Sequence, residues 1–148
     1  MDGGTISRLI GGQDSMRDFF IHPLDLRTIG GKEITDFEGL KIDIPTLVIS
    51  ECCLCYLQVD KAEEVIRWFT DRIKTLGIIL YEPIKVDDAF GQRMVENLAA
   101  RGVVMPTVQR YKTLDHQQQR LVGSGFGKRS PPRCMTSFLA SVVTNHDL

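Results

Sequence analysis

The sequence predicts an α/β fold built on parallel strands, and three stretches carry that prediction. Thr46-Leu47-Val48-Ile49 is a short β-branched apolar run opened by Pro45. Such a run fits a strand buried on both faces, as in a parallel sheet. Residues 59–73 place Ala62, Val65, Ile66, Phe69 and Ile73 at three- and four-residue steps, the stripe of an amphipathic helix. Ile78-Ile79-Leu80-Tyr81 is a second apolar run, ended by Glu82-Pro83. Strand, helix and strand in that order make a right-handed βαβ unit with parallel strands.

Composition bounds the rest. A chain of 148 residues with 43% hydrophobic and 25% charged residues suits one globular domain with a real core. A formal net charge of -1 gives no basic footprint, so nucleic acid is not an expected partner. No apolar run approaches the ~20 residues that span a bilayer, and no membrane association is expected. The N-terminus lacks the basic start and apolar core of a signal peptide, which gives a cytoplasmic or nuclear address by default. Of the four cysteines, Cys52, Cys53 and Cys55 crowd behind the first strand and Cys134 stands apart. Without paired Cys-x-x-Cys spacings they read as reduced, small apolar residues, and no metal site is expected.

Along the chain, residues 1–17 are glycine- and serine-punctuated and give no firm element. Phe19-Phe20-Ile21-His22 reads as a short strand closed by Pro23, with Asp25 just beyond it. Residues 30–44 read as a glycine-broken connector with at most one short helix. Asp60 with Glu63 resembles an acidic capping box at the start of the first helix, and Gly77 a stop beyond its end. Trp68 lies off the apolar stripe and reads as flank packing. Asp87 or Asp88 can cap a second helix over residues 89–101, with Phe90, Met94, Leu98 and Val95 as its apolar face and Gly102 as its end. Met105-Pro106-Thr107 reads as a break, and residues 114–122 as a short polar helix. From Gly127 the chain turns basic and proline-rich, and then apolar over residues 138–143, to which no element is assigned.

Several chemistries lack their residues. Gly123-Ser124-Gly125-Phe126-Gly127-Lys128 superficially resembles a phosphate loop. It has no strand before it or helix after it, and Arg129 stands where Ser or Thr is needed. His22, His116 and His146 are dispersed, and Ser50 lacks the flanking glycines of a nucleophile elbow. What remains is Glu51 and Asp25, two acids beyond apolar runs, with Tyr56 shortly after Glu51. In open α/β sheets ligands bind beyond the carboxyl ends of the strands. An ionised acid there accepts hydrogen bonds from hydroxyls or amines, as on a nucleoside cofactor.

Residues 44–57, IPTLVISECCLCYL, resemble the central motif of the leucine carboxyl methyltransferases. Three further stretches are similar to that family in order: His22-Pro23-Leu24-Asp25-Leu26-Arg27, Tyr81-Glu82-Pro83-Ile84, and the D-x-F-G-x-x-M-x-x-N-L pattern from Asp88 to Leu98. The resemblance runs from Phe19 to Phe126. It implies the second half of a doubly wound, Rossmann-like methyltransferase fold that uses S-adenosylmethionine. It further implies methylation of the C-terminal leucine carboxylate of the protein phosphatase 2A catalytic subunit, whose C-terminal tail would be the partner. By the same resemblance Asp25, Leu26 and Glu51 contact the cofactor and Tyr56 lines the substrate pocket, while no catalytic base is assigned. The family's clamping arginine, glycine-rich loop and ribose-binding acid have no counterpart in this sequence, and the segment after Phe126 departs from its C-terminal strands. The expectation is therefore an incomplete form: residues 1–126 a partial methyltransferase domain and residues 127–148 a divergent tail, with weak cofactor binding and little activity. Two other readings share the same residues, a non-catalytic phosphatase-binding half-domain and a small-molecule O-methyltransferase relative.

Overall fold

The computed structural model describes residues 19–127, and residues 137–140 as backbone. Among the described residues three strands form one parallel sheet in the order β1 (Thr46–Glu51), β2 (Leu76–Tyr81) and β3 (Ser137–Ala140). Four α-helices among them accompany the sheet: α1 (Val59–Arg72), α2 (Ala89–Ala99), α3 (Pro106–Arg110) and α4 (Leu114–Gly123). Among the described residues no helix is long and apolar enough to cross a membrane.

The β1–α1–β2 unit forms as its sequence predicts. Val48 pairs with Ile78 and Glu51 with Tyr81, so the two strands end level with each other. The stripe on α1 buries Ala62, Val65 and Ile66, and these pack with Leu76, Ile78 and Leu80 of β2 in the main core. Complete burial of each large aliphatic side chain contributes about 1.5–3 kcal/mol, so this stripe does most to hold helix to sheet. A smaller core gathers Cys55, Val86, Met105 and Val108, with Met94, Val95 and Leu98 against it.

Several expectations are corrected. β1 is not buried on both faces: Leu47 and Ile49 remain 56% and 66% exposed, while Ser50 points inward and is buried. Parallel strands need cover on both faces, and among the described residues only one side of β1 receives it. Phe19 to His22 forms no strand and pairs with no ladder among the described residues; His22 Nε2 instead donates to the Glu38 carbonyl at 3.1 Å. Asp25 therefore caps a 3-10 helix, Leu26–Gly31, and a second, Ile34–Asp36, follows in the connector where at most one helix is expected.

The cap of α1 is Gln58 without a side-chain bond, and Asp60 lies in the first turn. Glu63 turns to Tyr111 and Arg67 instead of the helix start. Gly77 lies within β2, since α1 ends at Arg72 and β2 begins at Leu76. Trp68 does pack, but in the main core; its indole N–H donates to the Lys32 carbonyl at 2.9 Å. In α2, which ends at Ala99, Met94, Val95 and Leu98 meet the small core while Phe90 is 62% exposed. Pro106 starts α3 rather than breaking structure, as suits proline's fixed φ at a first helical position. The missed element is β3, which pairs in parallel with β2 from Gly77↔Ser137 to Leu80↔Ala140.

Asp88 caps α2, its carboxylate accepting from the Gly91 N–H at 2.7 Å. Gly91 is required by close approach, because a Cβ there would sit 2.4 Å from Val86 Cα and 2.9 Å from the Lys85 carbonyl oxygen. These are backbone atoms that cannot rotate away. Gly91→Ala is expected to destabilise the fold by about 1–3 kcal/mol, seen as a lower urea midpoint. An unchanged midpoint would show that α2 shifts freely from the 85–86 segment.

Candidate functional site at the carboxyl end of the first strand

The chain leaves β1 through a sharp turn. Cys52 adopts a left-handed φ of 43°, which costs a non-glycine residue roughly 1–2 kcal/mol. It is held there by its own N–H, which donates to the Tyr81 carbonyl of β2 at 2.8 Å. The turn leads into a short 3-10 helix, Leu54–Tyr56, whose Leu54 and Cys55 are buried. Glu51 thus ends the strand with its carboxylate exposed, and the chain folds back beneath it.

A cavity of about 340 Å³ opens at this point. Glu51, Ser50 and Cys53 line it from β1 and the turn, Leu26 from the upstream 3-10 helix, and Ile66 and Phe69 from α1. Its volume is within the ~300–1,000 Å³ of small-molecule sites, and its composition, an apolar wall with a few polar groups, is theirs too. Ser50 Oγ is buried without a hydrogen-bond partner. A buried hydroxyl left unsatisfied costs about 1–3 kcal/mol, which a polar ligand in the cavity would offset.

The four residues singled out from the sequence are placed differently. Leu26 and Glu51 share the cavity. Asp25, one residue before Leu26, does not line it and is engaged by Arg27. The Arg27 Nε donates to Asp25 Oδ1 at 2.9 Å and Nη2 to Oδ2 at 2.6 Å, and the Arg27 backbone N–H adds a bond of 3.0 Å. Those side-chain and backbone bonds hold the Asp25 carboxyl down at about 2. Tyr56 is 46% exposed, outside the cavity, and burial raises its hydroxyl above the ordinary value.

Ser50 and Cys53 are cavity residues to which the sequence motifs give no role. The signal for Ser50 is its position as the last inward residue before Glu51, which suits a binding group rather than a nucleophile. Cys55 is buried as expected, and burial together with the Glu82 charge pushes its thiol up to about 12. Cys52 and Cys53 are exposed, against the expectation of buried cysteines: Cys52 sits in the turn itself and Cys53 lines the open cavity. Burial, then the Glu82 charge, raises both thiols, so neither is an activated thiolate. Among the described residues no three His, Cys, Asp or Glu side chains gather as metal ligands. Gly123 to Gly127 forms the exit of α4, where Phe126 is buried and Gly125 and Gly127 take positive φ; Lys128, Cys134 and His146 lie outside the described residues.

No family model matches the chain. Individual relatives do. The chain is 37% identical over 133 residues to leucine carboxyl methyltransferase 1 of Yarrowia lipolytica, an alignment covering 85% of this chain and 40% of that protein. To leucine carboxyl methyltransferase 1 of Schizosaccharomyces pombe it is 37% identical over 126 residues, with the same shares. A leucine carboxyl methyltransferase 1 homolog of Arabidopsis thaliana is 32% identical over 105 residues, covering 70% of this chain and 32% of the plant protein. The chain spans well under half the length of the relatives it matches.

The Asp25 geometry gives a pH prediction. A carboxyl held at about 2 against an ordinary 3.8 favours the folded state above pH 3.8 and loses that contribution as pH falls towards 2. Arg27→Ala is expected to move the Asp25 midpoint upward in an NMR carboxyl titration. A midpoint that stays put would mean that Arg27 does not hold the charge.

Proposed function

Because the chain belongs to the leucine carboxyl methyltransferase family, we propose that it carries the cofactor-binding second half of such an enzyme. The reading is S-adenosylmethionine-dependent methylation of the C-terminal leucine carboxylate of the protein phosphatase 2A catalytic subunit, on a Rossmann-like sheet. The observation that carries it is the 340 Å³ cavity at the end of β1, where Glu51 and the unpartnered Ser50 hydroxyl meet an apolar wall.

Those residues suit the cofactor. The Glu51 carboxylate accepts hydrogen bonds from ribose hydroxyls or the amino-acid ammonium, and Ser50 Oγ can donate or accept one more. Leu26, Ile66 and Phe69 provide the flat apolar contact that an adenine ring needs. Asp25 retains acceptor capacity beside Leu26, although Arg27 must share it. When bound, S-adenosylmethionine supplies an electrophilic methyl group on a sulfonium.

This chain's residues have a limited task in that reaction. A carboxylate substrate is ionised near neutral pH, so no group here has to remove a proton. The rate comes from alignment of the carboxylate oxygen with the methyl, together with exclusion of water. Tyr56, exposed outside the cavity, would meet an arriving peptide rather than the cofactor.

Titration of the purified chain with S-adenosylhomocysteine tests the reading by calorimetry. Weak, micromolar binding is expected, reduced about tenfold by Glu51→Ala as a charge-assisted hydrogen bond is lost. Bound ligand is also expected to slow alkylation of Cys53, which lines the cavity. A folded chain that binds nothing would remove the cofactor site from this reading.

A further inference from the structure

The turn between β1 and α1 is anchored by polar groups that an apolar core does not require. Thr107, in the first turn of α3, is fully buried, and its Oγ1 donates to the Leu54 carbonyl at 3.1 Å across 53 residues of sequence. Glu82, immediately after β2, is also buried. Its carboxylate sits 3.4 Å from the Arg120 guanidinium, itself fully buried. Arg120 is held in turn by Gln117 Oε1 at 3.2 Å and by the Tyr111 ring, 4.8 Å below it.

Burying an ion pair is costly, and a well-packed apolar pair is often no less stable. Glu82 belongs to that pair: burial raises its carboxyl and the Arg120 guanidinium opposes the shift, while Glu82 Oε1 has no hydrogen-bond partner. Thr107 reaches the turn itself, at the Leu54 carbonyl. Cys55 is meanwhile packed among Val86, Met105 and Val108. The Leu54 carbonyl also accepts the Leu57 N–H at 3.1 Å, so the bond from Thr107 fixes the whole short helix.

We propose that Thr107 is a positioning residue, which holds the 52–57 turn so that Glu51 and Cys53 keep their places around the cavity. Thr107 does not line that cavity; it acts through the Leu54 carbonyl. The inference rests on the cofactor reading of the cavity and adds a residue that shapes it.

The test is hydrogen exchange combined with calorimetry on the full chain, with S-adenosylhomocysteine as the probe. Thr107→Val removes the hydroxyl at nearly constant volume. It is expected to speed exchange of the Tyr56 and Leu57 amides by about five- to tenfold, the worth of one hydrogen bond, with β2 amides unchanged. Affinity for the probe should fall by a similar factor, and Thr107→Ser should restore both. Thr107→Ala is expected to give the same pattern, and it decides the matter if Thr107→Val does not yield a folded chain. Unchanged exchange in these variants would overturn the proposal, and so would faster exchange with unchanged affinity, since the turn would then be structural only. Failure of the unmutated chain to bind the probe would overturn the reading of the cavity itself, and this inference with it.

Discussion

The parallel pairing of β1 with β2 is the constraint on which the rest of the structure depends. Its register sets Glu51 opposite Tyr81 and brings the Cys52 N–H onto the Tyr81 carbonyl. That one bond past the strand end turns the backbone into a left-handed conformation that cysteine would not adopt unaided. The turn then directs Cys53 towards the cavity and Leu54 and Cys55 into the cores. A slip of one residue would exchange Ser50 for Glu51 on the inward face and leave a charge in the apolar interior.

Two acids at neighbouring strand ends show how environment divides similar groups between tasks. Glu51 is exposed and free to accept a ligand's donors. Glu82 is buried beside the Arg120 guanidinium, 3.4 Å away, and out of a ligand's reach. Asp25 is intermediate: exposed, charged, but already shared with Arg27. A carboxylate beyond a strand is therefore not by itself a binding group; what matters is whether it is exposed and whether a cation of the fold already holds it.

The local elements were largely legible in the sequence because their periodicity is strong. The stripe from Ala62 to Phe69 and the run from Ile78 to Tyr81 each allow one arrangement, and the structure adopts it. Phe19 to His22 misled because an apolar run becomes a strand only beside a partner, and partners are not written locally. The strand at Ser137–Ala140 was missed for the converse reason: its ladder is supplied by β2, some sixty residues earlier in the chain. In the site, Glu51 and Leu26 were found from their motifs and do share a cavity. Ser50, Thr107 and Glu82 were not assigned roles, since a buried hydroxyl or acid acquires meaning only from what packs around it.

Among the described residues one side of β1 is uncovered, and Leu47 and Ile49 are exposed, as are Ile42 and Ile44 just before the strand. The relatives this chain matches are more than twice as long as the segment it aligns with. The core, the turn and the cavity are nevertheless built wholly from residues within this chain, which makes the central claim directly testable. The most direct measurement is a titration of isotope-labelled chain with S-adenosylhomocysteine, followed amide by amide in NMR spectra. The account predicts saturable shifts confined to Leu26, residues 50–54 and Phe69, with the Arg110 and His116 region silent. Shifts absent from Ser50, Glu51 and Cys53, or centred on another surface, would contradict it.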